Sequence, residues 1–203
     1  METFAAGPQN LGSEVIVLEN PTRQTMLEAV LKDALDCLDE NPEREGLNET
    51  PKRWAKMLIE MTSGHEFNMT TFKNEGVDEM VAEVGIPFFS LCEHHLAPFF
   101  GTAAVAYIPG DRIVGISKLA RSVELYAKSL QVQERMTQQI ANMLQEKLQP
   151  RGVAVLIRAR HLCQEMRGAR KTGVETVTSC LKGVFLEKAA AREEFMEIAR
   201  EVR

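Results

Sequence analysis

Three of the four histidines in this 203-residue chain lie beside cysteines, in two short clusters. The first cluster runs from Cys92 to His95 and reads C-E-H-H, and the second runs from His161 to Cys163 and reads H-L-C. Thiolate sulfur and imidazole nitrogen are the donors that zinc prefers, and a C-x-x-H step is short enough to chelate from one turn. The spacing therefore favours a zinc site on Cys92, His95 and Cys163.

A three-ligand site differs from a structural zinc site, which normally fills four positions with protein donors. The fourth position would hold water, and zinc lowers the pKa of bound water to about 7. His94 and His161 would then be free for proton transfer beside the metal. The alternative, that these cysteines and histidines are ordinary buried residues, remains open at this point.

Basic residues surround the second cluster, since the segment from Arg151 to Lys171 has six of them and a single acidic residue. Arginine binds phosphate with two parallel hydrogen bonds, so this segment favours an anionic substrate over a merely solvated face. Ser117-Lys118 and Arg121 add a basic helix start. The chain lacks the P-loop, the dinucleotide-binding glycine pattern and the zinc deaminase signature, so we expect chemistry on a base with the phosphates as a handle.

The elements that must position these residues follow a helix, helix, strands, helix, helix, strands, helix order, which predicts an α+β fold. We predict a flexible tail over residues 1–22, a helical segment over 23–75 and a catalytic domain over 76–203. Pro109-Gly110-Asp111 predicts a hairpin turn that leads into residues 113–116.

Composition excludes several classes of protein. The net charge of −5 argues against a nucleic-acid binder, and no apolar run reaches the ~18 residues that a membrane span needs. The N-terminus shows no export signal, so we expect a cytoplasmic protein with reduced cysteines.

The chain also resembles the GTP cyclohydrolase I family over roughly residues 26–200. The resemblance rests on sequence blocks that occur in the family's order: residues 41–47 and 50–53, 90–96 (SLCEHHL), 115–121 (GISKLAR), 130–135 (LQVQER), 161–163 with 166–168, and 176–179.

The resemblance implies a tunnelling fold, in which a four-stranded antiparallel sheet has two helices between its β-hairpins. Family members form rings, and two pentamers stack into a homodecamer with the active sites between subunits. A small sheet with open edges is consistent with such pairing between chains.

The family's reaction would open the guanine imidazole ring of GTP, release formate and yield 7,8-dihydroneopterin triphosphate, the first step of pterin and tetrahydrofolate synthesis. Zn²⁺ on the three ligands would activate water, with His161 as acid and base and His94 close by. The resemblance gives the remaining roles to matched positions: guanine recognition to Glu134 and Gln133, sugar rearrangement to Ser117, and triphosphate binding to Lys118, Arg121, Arg167 and Arg53.

Two positions depart from the family pattern: Arg158 stands where many members have an acidic residue, and Val174 where many have serine.

Three alternatives remain beside the main hypothesis. They are another zinc hydrolase of a purine or pterin nucleotide, an inactive ring subunit that binds nucleotide or a regulator, and a structural zinc protein. The intact metal and histidine cluster disfavours the second, and the missing fourth ligand disfavours the third.

Overall fold

The computed structural model describes residues 20–39 and 41–201, so residues 1–19 of the predicted tail lie outside the described residues. The chain divides into two compact units, one ending at Met57 and the other beginning at Leu58. Helix α1 spans Asn20–Leu38 and α2 spans Thr50–Met61. In the N-terminal unit, Ala55 is fully buried on α2, and the Thr50 amide donates to the Leu47 carbonyl at 2.8 Å where this helix begins.

The larger unit contains the sheets and the remaining helices. In chain order these elements are β1 (Thr71–Lys73), β2 (Val81–Cys92), β3 (Pro98–Ile108), β4 (Arg112–Val114), α3 (Ser117–Ala127), β5 (Leu130–Gln131), α4 (Gln133–Leu148), β6 (Gly152–His161), α5 (Leu162–Glu165), β7 (Thr176–Gly183), α6 (Val184–Glu187) and α7 (Ala189–Glu201).

The main sheet has the strand order β5-β2-β3-β6-β7. Strands β2, β3, β6 and β7 pair antiparallel in sequence, and α3 and α4 lie in the connection between β3 and β6. The two-residue strand β5 joins β2 in parallel, with Gln131 opposite Cys92. The predicted α+β class is thus confirmed, while the short parallel strand was not predicted.

The sheet separates two apolar cores, because successive side chains of a strand point to opposite faces. Along β3, Ala103, Val105 and Tyr107 face the core that contains α3 and α4. The intervening Ala104 and Ala106 face α6 and α7, where small side chains accompany the buried rings of Phe185 and Phe195. These rings meet edge to face at 5.8 Å.

The predicted hairpin at Pro109-Gly110-Asp111 is wrong in its pairing. The chain does turn there, but β4 pairs antiparallel with β1 and not with β3. Strand β3 already has β2 and β6 on its two sides, so neither of its edges is free to accept β4. Turn residues alone could not show that both edges of β3 are occupied.

The outer edge of β7 has no strand partner within the described residues, and β5 covers only the last two residues of β2 on its outer side. Both margins of the main sheet therefore present backbone donors and acceptors that a further strand could pair with. Across the described ranges, no helix has the length and apolar character to cross a membrane.

Candidate metal centre and active site

The turn between β2 and β3 carries two of the predicted metal ligands. Cys92 is the buried last residue of β2, and its carbonyl accepts the amides of His95 at 3.3 Å and Leu96 at 2.8 Å. Leu96 has φ 51°, a left-handed conformation uncommon for residues other than glycine. This compact turn places a thiol and an imidazole at the same end of the sheet.

The third ligand lies on α5, a four-residue helix that follows β6 directly. Arg160, at the end of β6, donates from Nε and from a terminal nitrogen to the two carboxylate oxygens of Glu165, at 2.8 and 2.6 Å. Its guanidinium also lies 5.7 Å from the ring centre of Phe100. The paired hydrogen bonds tie the last residue of α5 to β6, so the backbone around Cys163 is held at both ends.

Cys92, His95 and Cys163 form the metal cluster, in which one donor atom from each residue lies within 4.8 Å of the others. Burial raises the pKa of the Cys163 thiol, and the neighbouring sulfur of Cys92 raises it further. Two thiols this close disfavour thiolates unless a cation lies between them, and a bound metal reverses that preference. The donor set therefore fits a soft or borderline divalent metal.

His161 lies beside the metal cluster, at the end of β6. Its imidazole stacks on the buried ring of Phe99 at 4.7 Å between centres and 2° between planes. Burial lowers the pKa of this histidine, and the nearby Glu134 carboxylate partly opposes that shift. The stacked, half-buried ring thus has a defined place beside the metal cluster.

Gln133 is buried beside His161, and its side-chain amide is held by surrounding protein groups. Its side chain is 1% exposed, and its amide nitrogen donates to the Ile157 carbonyl at 3.2 Å, the Thr176 carbonyl at 3.0 Å and the Thr178 hydroxyl at 3.1 Å. Its amide oxygen lies 2.8 Å from Nε2 of His161. Protein groups therefore engage both N–H donors of this amide.

A cavity of about 220 Å³ opens beside the metal cluster. Its lining contains the three ligands together with other polar side chains: His94, Gln131, Gln133, Glu134, His161, Gln164 and Thr176. Nδ1 of His94 lies 3.7 Å from the Cys92 sulfur. The cavity thus brings both predicted proton-transfer histidines and the predicted guanine-binding carboxylate next to the metal cluster.

Glu134 lies in the first turn of α4, where the helix dipole favours a negative charge. The next residue, Arg135, pairs with Glu93 in the β2–β3 turn and donates to the Leu130 carbonyl at 3.1 Å and the Gln131 amide oxygen at 3.1 Å. These contacts connect the start of α4 to the metal-binding turn.

The residues predicted to bind triphosphate are not gathered at this cavity. Within the described part of the chain, Lys118, Arg121 and Arg167 do not line it, and neither does Ser117, the exposed first residue of α3. The Lys118 ammonium lies 5.7 Å from the ring centre of Phe67, and Arg121 lines another cavity of about 260 Å³.

Arg53 belongs to the N-terminal unit, on α2. Its guanidinium donates to the Gly46 carbonyl at 3.1 Å and to the Thr50 hydroxyl at 3.0 Å. These contacts stabilise the segment before α2, so the side chain has a local structural role in addition to any role toward an anion.

Sequence reasoning did not single out the residues that support His161. Phe99 is the β3 residue opposite His161 in the sheet register, and Thr176 and Thr178 follow each other on one face of β7. The alternation of threonines in the 176–179 block was the available signal, but it did not indicate a contact with Gln133.

The sequence profile of GTP cyclohydrolase I matches residues 27–200. The chain is 48% identical over 183 residues to a GTP cyclohydrolase 1 of Streptococcus thermophilus, which covers 88% of this chain and 98% of the relative. It is 46% identical over 210 residues to GTP cyclohydrolase 1 2 of Nostoc sp., covering 98% and 97% of the two chains. A Campylobacter jejuni GTP cyclohydrolase 1 is 46% identical over 188 residues, covering 89% and 99%.

Among solved structures, an archaeosine synthase QueF-Like in the apo form is 18% identical, with a TM-score of 0.41, and covers 51% of this chain and 93% of its own. A likeness this distant supports no argument about the fold.

Proposed function

This chain belongs to the GTP cyclohydrolase I family, and from that membership we propose how its residues hydrolyse the guanine ring of GTP. The observation that carries the proposal is the convergence of Cys92, His95 and Cys163 on one point, beside a histidine that is held by stacking and by a hydrogen bond. Three protein donors leave one coordination position for a water molecule, as catalytic zinc sites require.

We propose Zn²⁺ as the metal on these three ligands, because two thiolates and one imidazole suit it better than magnesium or calcium. When bound, zinc supplies a water molecule that is deprotonated near neutral pH. The reduced thiols that such a site needs suit a cytoplasmic location, and the four cysteines form no disulfide.

The protein's own residues perform the remaining steps. His161, a neutral ring because burial lowers its pKa, receives the proton released as water adds to C8 and passes it to a nitrogen of the imidazole part of the purine. It repeats this exchange, from the C8 hydroxyl to the leaving nitrogen, when the ring opens. His94 lines the same cavity and serves as a second proton carrier during the release of formate. Ser117 is assigned to the later sugar rearrangement that closes the ring of 7,8-dihydroneopterin triphosphate.

Glu134 selects the base in this proposal. A carboxylate accepts hydrogen bonds from the N1–H and the amino group of guanine, whereas adenine offers no donor at N1. The carboxylate lines the cavity beside His161 and is oriented by the connection between α4 and the metal-binding turn. GTP should therefore be accepted and ATP rejected.

Binding of the triphosphate is assigned to Lys118, Arg121, Arg167 and Arg53. Since the first three do not line the cavity of their own described chain, we propose that a neighbouring copy contributes them. The open margins of β7 and β2 suit pairing between copies, in a tunnelling-fold ring whose expected form is a decamer of two stacked pentamers.

This assignment also gives the proposed division of the chain a functional meaning. The catalytic and metal-binding residues all fall within the proposed domain 76–203, whereas the proposed helical segment 23–75 supplies Arg53 alone.

The test incubates the purified full chain with GTP and measures formate and a pterin that fluoresces after oxidation. The proposal expects equal amounts of both products, loss of both after chelation and recovery when zinc is returned. ATP serves as the matched control and should release no formate. A zinc-loaded protein that releases no formate from GTP would refute the proposal, and formate without pterin would place the failure at the sugar rearrangement.

A further inference from the structure

The orientation of the Gln133 amide is fixed by what surrounds it. The Ile157 and Thr176 carbonyl oxygens lie 3.2 and 3.0 Å from its nitrogen, and a carbonyl can only accept a hydrogen bond. If the amide were turned over, its oxygen would face both carbonyls. The nitrogen therefore belongs on the carbonyl side and the oxygen on the side of His161.

Two threonine hydroxyls reinforce this orientation. The Thr137 hydroxyl donates to the Gln133 backbone carbonyl at 2.8 Å and lies 2.7 Å from the Thr178 hydroxyl. Thr178 therefore donates to Thr137 and accepts from the Gln133 amide nitrogen at 3.1 Å. Each group in this closed network has a donor or acceptor role that the others determine, so the amide has no alternative arrangement.

This orientation decides which nitrogen of His161 carries a proton. The Gln133 oxygen, 2.8 Å from Nε2, can only accept, so Nε2 must be the protonated nitrogen of the neutral ring. Within the described residues nothing pairs with Nδ1 of His161. Nδ1 is therefore the position left for exchanging a proton with a ligand.

We propose that Gln133 is a positioning residue that holds His161 in its Nε2–H form against Phe99, which reserves Nδ1 for the substrate. This rests on the proposed function for the identity of the reaction, but the tautomer itself does not depend on it. It replaces the expectation that Gln133 contacts guanine directly, a role for which its engaged N–H groups leave no donor.

The tautomer can be measured without turnover, because the chain contains only four histidines. The zinc-loaded full chain is labelled with ¹⁵N-histidine, and solid-state NMR is recorded at a pH where the imidazoles are neutral. The His161 signals are assigned from a His161→Asn sample. We expect a protonated, pyrrole-type signal from Nε2 and an unprotonated, pyridine-type signal from Nδ1. The reverse assignment overturns the proposal.

Kinetics of Gln133→Met separate positioning from substrate binding, since methionine preserves the volume but removes the acceptor. A positioning role lowers kcat by about 10- to 100-fold, the usual cost of losing such a supporting partner, with KM for GTP nearly unchanged. Gln138→Met, an exposed position on the same helix, is the matched control and should leave both constants at wild-type values.

A large rise in KM with relaxed discrimination against ATP would overturn the proposal in favour of direct recognition of the base.

Gln133→Glu tests the same contact with His161 if the methionine variant fails to assemble. A carboxyl group buried against two carbonyls is driven to its neutral form, which can donate to Thr176 and still accept from Nε2. This variant should retain the Nε2–H signal and recover much of the lost kcat. An Nδ1–H signal in this variant, or no gain in kcat over the methionine variant, would contradict the positioning role.

Failure of the proposed function has a different signature, since formate release from GTP would be missing while the wild-type Nε2–H signal remained.

Discussion

The end of the sheet around the metal cluster and the predicted phosphate-binding residues differ in how firmly their side chains are held. Around the metal cluster, His161 is stacked and hydrogen bonded, and α5 is tied to β6 by paired hydrogen bonds. By contrast, Arg121 and Arg167 are exposed side chains. The single chain thus brings together its metal cluster, both histidines and Glu134, but leaves Ser117 and its phosphate-binding groups away from the cavity, which supports sites completed between copies.

The largest expected effect comes from the firmly held region. His161→Ala should lower kcat by about 10²- to 10⁴-fold, the range that a positioned acid–base group contributes, because no other described side chain occupies its place against Phe99. Zinc content and oligomer size should match the wild type. The rate is measured as formate released from GTP in samples quenched at set times. Loss of zinc or of assembly would instead assign His161 a structural role.

Removal of the base-selecting carboxylate should have a smaller effect. Glu134→Ala is expected to reduce kcat/KM for GTP by roughly 10²-fold, because the N1–H and amino donors of bound guanine would lose their acceptor. Because Glu134 is exposed on the helix surface, thermal unfolding should shift little. Steady-state kinetics with GTP and ATP measure the change, and unaltered kinetics would remove the guanine assignment.

A substitution in the dispersed region should affect binding and not chemistry. Arg167→Ala is expected to raise KM for GTP by about 10- to 150-fold, since a charge-assisted contact to phosphate contributes about 1.5–3 kcal/mol, with kcat nearly unchanged. Arg170→Ala, an exposed residue in the same loop, is the matched control.

Complementation between two variants tests whether one site takes residues from two copies of the chain. Arg167→Ala and His161→Ala chains are mixed and reassembled, and sites built from two copies should regain part of the wild-type kcat/KM. Mixed assemblies with only the averaged activity of their parents would show that each chain completes its own site.

The smallest effect is expected from the contact that ties α5 to β6. Glu165→Gln keeps one hydrogen bond to Arg160 but loses the charge pair, so zinc affinity should fall by about tenfold, as for other residues that orient metal ligands. Competition with a chromophoric chelator measures the affinity. Glu187→Gln, an exposed carboxylate on α6, is the control, and equal affinities in both variants would separate this contact from the metal site.

Local spacing was enough to select the three residues that the structure brings together as the metal cluster, because C-x-x-H and H-x-C each lie within one turn. The contact between the two clusters depends on the register that sets Phe99 opposite His161, which no spacing reveals. Gln133 and Glu134 show the same limit on a finer scale. Adjacent helical residues point about 100° apart, so Gln133 enters the core and Glu134 reaches the cavity. The two residue types alone do not indicate which of them is buried.

X-ray absorption at the zinc edge of the active protein would show how the metal is bound during GTP turnover. We expect two sulfur ligands, one imidazole and one light oxygen-type ligand, with formate release from GTP proportional to zinc occupancy. A zinc bound by four protein donors, or GTP turnover that persists at full rate after the metal is removed, would contradict this expectation.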